Sequence, residues 1–175
     1  MRFSVSVLAA SLCLATGAWA HEGPTDPQIA AIVVTANQID IDAGKLAKIQ
    51  ARSNEVKAFA DQMVVDHSGV NQQATALVKK LKVTPEANAT SKSLQQGGDA
   101  NLAKLKGLAG ADFDRAYVDH EVDYHQAVID ALDKTLVPSA NNPDLKALLV
   151  KVRPAFVAHL EHAKHLQADL RKSGG

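Results

Sequence analysis

Cysteine is almost absent from this chain: the single one among 175 residues is Cys13, and it falls in an N-terminal stretch that reads as an export signal. Without that stretch the chain has no thiol, which excludes disulfides, thiolate metal ligands and a cysteine nucleophile. Long apolar runs are scarce as well. Val5 to Ala15 is too short to span a bilayer, and no later run approaches the roughly 20 residues of a membrane helix. Neither sign of charge dominates, since removing Arg2 from the 19 basic residues leaves 18 against 19 acidic ones. No basic stripe with interleaved aromatics appears, which argues against nucleic acid as a partner. There is no Gly-x-Ser-x-Gly elbow, no phosphate-binding glycine loop and no His-Glu-x-x-His zinc motif. His120-Glu121 begins like the last of these, but Tyr124 stands where its second histidine belongs.

What is present begins with a targeting signature. Arg2 supplies a positive start, an apolar run follows, and Ala18-Trp19-Ala20 fits the small-x-small cleavage rule. Residues 1–20 are therefore expected to be a cleaved signal peptide, and residues 21–175 a single domain beginning at His21. Leu12 is a poor residue before a lipoprotein cysteine, so no lipid anchor is expected. The expected location is the periplasm. Nothing in the sequence reads as a membrane barrel, so outer-membrane association finds no support.

Glycine and proline fall almost entirely at joints, and β-branched alternation is absent. Asp26-Pro27 reads as the N-cap and first-turn proline of a helix over about 26–51. Ser53-Asn54 opens a second helix over about 54–82, which Thr84-Pro85 stops. Gly97-Gly98 is expected to interrupt any helix near it, leaving Asp99 to Leu108 as a short one. Asp112 reads as the cap of a helix over about 112–136, and Val137 to Asn141 as a loop. Asn142-Pro143 starts the last helix, over about 142–172, inside which Pro154 removes one backbone hydrogen bond and should kink the chain. Amphipathic helices of this length with short joints predict an all-α, up-down-up-down four-helix bundle, with a short extra helix between the second and third long ones.

The apolar stripes are interrupted by side chains that bind metals. Asp40, His67, Glu121 with His125, and His159 with His162 stand on or beside the stripes of the four long helices, and Asp66 precedes His67. Glu121 and His125 are four apart and His159 and His162 three apart, so each pair shares a helix face. His67, His125 and His159, completed or oriented by Asp40, Asp66, Glu121 or His162, suit zinc, copper or iron. Set against this is a core in which the imidazoles are satisfied by carboxylates or carbonyls, and the chain is a structural or interaction protein of the envelope. Di-iron carboxylate bundles repeat Glu-x-x-His on two helices. Here no acidic residue precedes a histidine by three, so a di-metal redox centre is disfavoured.

Asn37 to Ala47, Phe59 to His67, Phe113-Asp114-Arg115-Ala116-Tyr117, His125 and the Pro154 to His159 segment occur in that order. Together they resemble the bacterial domain-of-unknown-function 4142 family, exported proteins often labelled putative outer-membrane proteins. The resemblance covers nearly all of the chain beyond the signal. It implies a ferritin-like four-helix fold in the cell envelope and leaves the activity open. Members usually carry glutamate at the position of Asp40, whose shorter side chain reaches less far into a bundle. The expected function is binding of a transition metal inside the bundle, in metal handling or envelope stress protection rather than fast catalysis.

Overall fold

The computed structural model describes residues 23–173. The expected signal peptide and His21 lie outside them. The chain forms α1 (Asp26–Gln50), α2 (Asn54–Leu81), α3 (Ala89–Lys106) and α4 (Gly110–Ala131). A π-turn (Leu132–Leu136) and a single helical turn, α5 (Val137–Ser139), follow α4 and lead to α6 (Pro143–Ser173). The fold is an all-α four-helix bundle of α1, α2, α4 and α6, with α3 inserted between the second and third long helices.

Cross-helix contacts give the directions. Asn37 meets His67 and Val34 meets Asn71, while Asp66, Gln73 and Lys80 meet His159, Lys151 and Asp144 in turn, so α2 is antiparallel to both α1 and α6. Asn88 donates to the Gln28 carbonyl at one end of α3, and Gln50 donates to Leu105 at the other, so α3 runs parallel to α1. Directions therefore alternate along the chain with α3 counted as an element, and α2 and α4 run the same way. One long crossover of this kind is what ferritin-like bundles contain.

The joints are held by side-chain oxygens that accept otherwise orphaned backbone N–H groups. Ser53 accepts from Val56, and Asn142 accepts from Asp144 and Leu145, as the sequence led us to expect. At α1 the cap is Thr25, one residue earlier than expected. Asp26 instead reaches across the molecule to accept the N–H groups of Asn141 and Asn142, both at 2.9 Å. Asp112 does not cap α4, which already begins at Gly110, where φ is +60°. Asp114 is buried and accepts from Arg52 and Ser53, both at 2.8 Å, tying the α1–α2 joint to α4. Asp114→Ala should cost about 1–2 kcal/mol. A urea-denaturation midpoint unchanged from wild type would show that those N–H groups are satisfied without it.

The stretch around Gly97-Gly98 departs most from expectation, because α3 runs straight through it. Glycine costs a helix about 1 kcal/mol relative to alanine, but packing offsets that here. A Cβ on Gly98 would lie 2.7 Å from Ile39 Cγ1, so glycine is what lets α3 press against α1. Val137–Ser139 is helical rather than loop, with Pro138 in the first turn where its missing N–H is harmless. The last helix continues unbroken past Pro154.

Two apolar clusters fill the bundle. One gathers Ile29, Ile32, Val70, Ile129, Leu149 and Phe156, the other Ala47, Phe59, Met63, Leu105, Phe113 and Leu166. Where the long helices pass from one cluster to the other they carry buried polar residues: Asn37, Asp40, His67, Glu121, His125 and His159. Such a layer is costly unless each polar atom finds a partner. It is the candidate site.

Candidate metal centre

Helical periodicity turns polar residues of all four long helices into the waist of the bundle, and three of the helices contribute a histidine. His67 (α2), His125 (α4) and His159 (α6) are 2%, 1% and 1% exposed. Their ring centroids form a nearly equilateral triangle with sides of 5.5, 5.3 and 5.4 Å. One ligand atom from each ring lies within 4.8 Å of the other two. Phe156 stacks on His67 at 5.2 Å and closes one side of the cluster.

Each ring is held from behind. Asn37 donates through Nδ2 to the Val33 carbonyl at 2.7 Å, so its Oδ1 faces His67 as an acceptor. His67 Nδ1 donates to it at 2.7 Å. His125 Nδ1 donates to the Glu121 carbonyl at 3.0 Å, and His159 Nε2 donates to Asp66 Oδ2 at 3.0 Å. Every one of these acceptors fixes the proton on the outer nitrogen and leaves a lone pair on the other. Those other atoms, His67 Nε2, His125 Nε2 and His159 Nδ1, are buried with no hydrogen-bond partner among the described residues. Burial, then the neighbouring imidazoles, holds His67 well below the ordinary histidine pKa. Burial also lowers His159, with the bond to Asp66 opposing it. Neutral imidazoles with outer nitrogens anchored by carbonyl or carboxylate are the form in which histidine binds metals.

A second group overlaps the first: Asp40, Glu121 and His125 bring ligand atoms within 4.8 Å of one another. Asp40 Oδ2 lies 3.5 Å from His67 Nδ1, and Glu121 Oε2 lies 3.4 Å from His125 Nδ1. The carboxylates thus stand at the protonated edges of those two rings. Burial and then the charge of Glu121 raise Asp40 well above the carboxylate range. Burial pushes Glu121 up to about 8, against the pull of Asp40 and Tyr117. Two neighbouring buried carboxyls favour their protonated forms, because burial and like charge both disfavour ionisation.

The expected ligand residues therefore separate. His67, His125, His159, Asp40 and Glu121 come together at the waist. Asp66 is half-exposed and touches the site only through the outer nitrogen of His159. His162 belongs to neither group; it is exposed, with its ring edge on Phe59 at 5.1 Å. Two contributors were not singled out from the sequence. Asn37, four residues after Val33 on the stripe of α1, had a legible signal as a polar residue on an apolar face. Phe156 had none, since a core phenylalanine looks the same wherever it packs. The Tyr117 hydroxyl is buried beside Glu121.

The residues fit a transition ion by the chemistry of the donor set. Three buried imidazole lone pairs face one another without a donor among them, and His₃ sets serve zinc and copper.

The sequence matches the family model described as "Domain of unknown function (DUF4142)" over residues 13–166. No curated protein matches it in sequence. Among solved structures the fold is similar to that of "CopM in the Cu(II)-bound form", with a TM-score of 0.67 and 16% identity, over 84% of this chain and 98% of that one.

Proposed function

We propose, from the premise that this chain belongs to the DUF4142 family, that it binds one transition-metal ion at the waist of its bundle through His67, His125 and His159. The observation that carries the reading is the set of three buried, unpartnered imidazole nitrogens, each on a ring anchored at its other nitrogen. Leaving such atoms buried costs on the order of 1–3 kcal/mol apiece, and an ion held by all three removes the cost. Asn37 and Asp66 orient their rings. Asp40 and Glu121 supply negative charge when they release their protons, which offsets the ion's charge in this buried site.

Copper and zinc both suit this donor set. The shared fold with CopM in its Cu(II)-bound form makes copper the first ion to test. The role proposed for such a site is metal handling, by sequestration or delivery, or envelope stress protection. The reading of residues 1–20 as an export signal supports a periplasmic setting for this role. No helix among the described residues is long and apolar enough to cross a membrane.

The test is elemental analysis of untagged protein beginning at His21, after loading with Cu²⁺, Zn²⁺ or Fe²⁺ and exhaustive buffer exchange. About one retained ion per chain, lost from a His67/His125/His159 triple-alanine variant, is the expected result. Retention of none by a folded wild-type chain would overturn it and favour an envelope protein with a structural polar core.

A further inference from the structure

A cavity of about 280 Å³ opens beside the histidine cluster, between α1, α3, α4 and α6. Its outer end lies at Pro24, Thr90 and Thr135, and its inner end at Asn37, Asp40 and His67. The wall between them is aliphatic and aromatic, with Leu94, Leu132, Leu149 and Phe156 among its members. The π-turn Leu132–Leu136 forms part of this wall. A π-turn widens a helix by one residue and recurs at functional sites.

An apolar throat is a poor route for a hydrated cation, which would shed water with nothing to replace it. It suits a different passenger. A dry cavity of about 150 Å³ accommodates benzene, so this one has room for a larger molecule. The geometry points to this cavity as a binding site for a neutral, mostly apolar molecule of one or two rings that carries a single hydroxyl or carbonyl group. The apolar wall takes the rings, and the buried polar end takes the oxygen. Asp40 at that end is 3% exposed, and the lining holds no lysine or arginine that could receive an anionic head. A cationic head would be stripped of water along the whole apolar length. This site does not depend on the metal reading, although His67 and Asp40 border both.

The experiment is titration calorimetry on the chelator-treated chain with 1-naphthol, 1-naphthoate and 1-naphthylmethylammonium as probes. One 1-naphthol per chain is expected, bound at least tenfold more tightly than either charged analogue. Ala131→Phe, which places a ring in the cavity, should weaken 1-naphthol at least tenfold; Ala36→Leu, from the opposite wall, serves if the first variant does not fold. Circular dichroism establishes folding of each. Absence of saturable binding overturns the proposal. So does wild-type affinity in a folded filled variant, or a charged analogue binding as tightly as the neutral probe. Because the ion is removed beforehand, failure of the metal assignment leaves these outcomes unaffected.

Discussion

Copper or zinc at about 100 times its dissociation constant is expected to raise the melting temperature of the wild-type chain by roughly 5–10 °C, and His125→Ala to abolish the rise. Saturation at that level adds about 2.7 kcal/mol to the folded state, and a domain of this size gains roughly 2–4 °C per kcal/mol. His125 is the sharpest single choice because it belongs to both buried groups and its ring faces both other imidazoles. Removing it leaves two nitrogens, too few to hold an ion against buffer. His162→Ala provides the contrast, since His162 is exposed and outside both groups; it should keep the full rise. A rise that survives His125→Ala, or vanishes in His162→Ala, would place the ion elsewhere.

The second large effect belongs to the metal-free chain and to Glu121. Its carboxyl moves from 4.5 to about 8 on folding, chiefly through burial. Between those values the native state keeps a proton that the unfolded chain has released. Stability from this group is therefore full below pH 4.5 and is lost as pH rises towards about 8. At about 1.4 kcal/mol per pH unit the loss is roughly 4–5 kcal/mol. Glu121→Gln keeps the shape and cannot ionise, so it should abolish that part of the decline and be the more stable protein at pH 8. Asp40 on α1 adds a decline of the same sign. His67 and His159, held below the ordinary histidine value, act oppositely and cost stability as pH falls below 6.5. Both proteins share the histidine terms, and Glu121→Gln also relieves the part of the Asp40 shift due to Glu121, so the difference between their chemical-denaturation curves reports Glu121 together with its coupling to Asp40. A difference that stays constant from pH 5 to pH 8 would refute the assignment.

Much of this arrangement was legible in the sequence because it rests on local periodicity. Asp40, His67, Glu121, His125 and His159 each occupy a position where the 3.6-residue repeat calls for an apolar side chain, and each is buried. Legibility ended where tertiary approach decides the outcome. Gly98 reads as a helix breaker until Ile39 lies against it. Asp26 reads as a cap for its own helix, yet it serves the joint before α6. Asn37 and Asp66 fix which nitrogen of a ring is free, and that depends on partners from other helices. No spacing rule marks the cavity, whose walls come from four helices.

The three imidazoles sit on α2, α4 and α6, with the crossover α3 lying in sequence between the first two. No pair of neighbouring helices can present all three nitrogens, so the ligand set exists only once the long-range contacts of the bundle have formed. An ion that needs all three contacts would stabilise interactions completed late in folding, so the expected effect is slower unfolding with a smaller change in the folding rate. A loaded chain would thus resist proteolysis and heat for as long as the ion stays, and the residence time of the metal would set the lifetime of the fold.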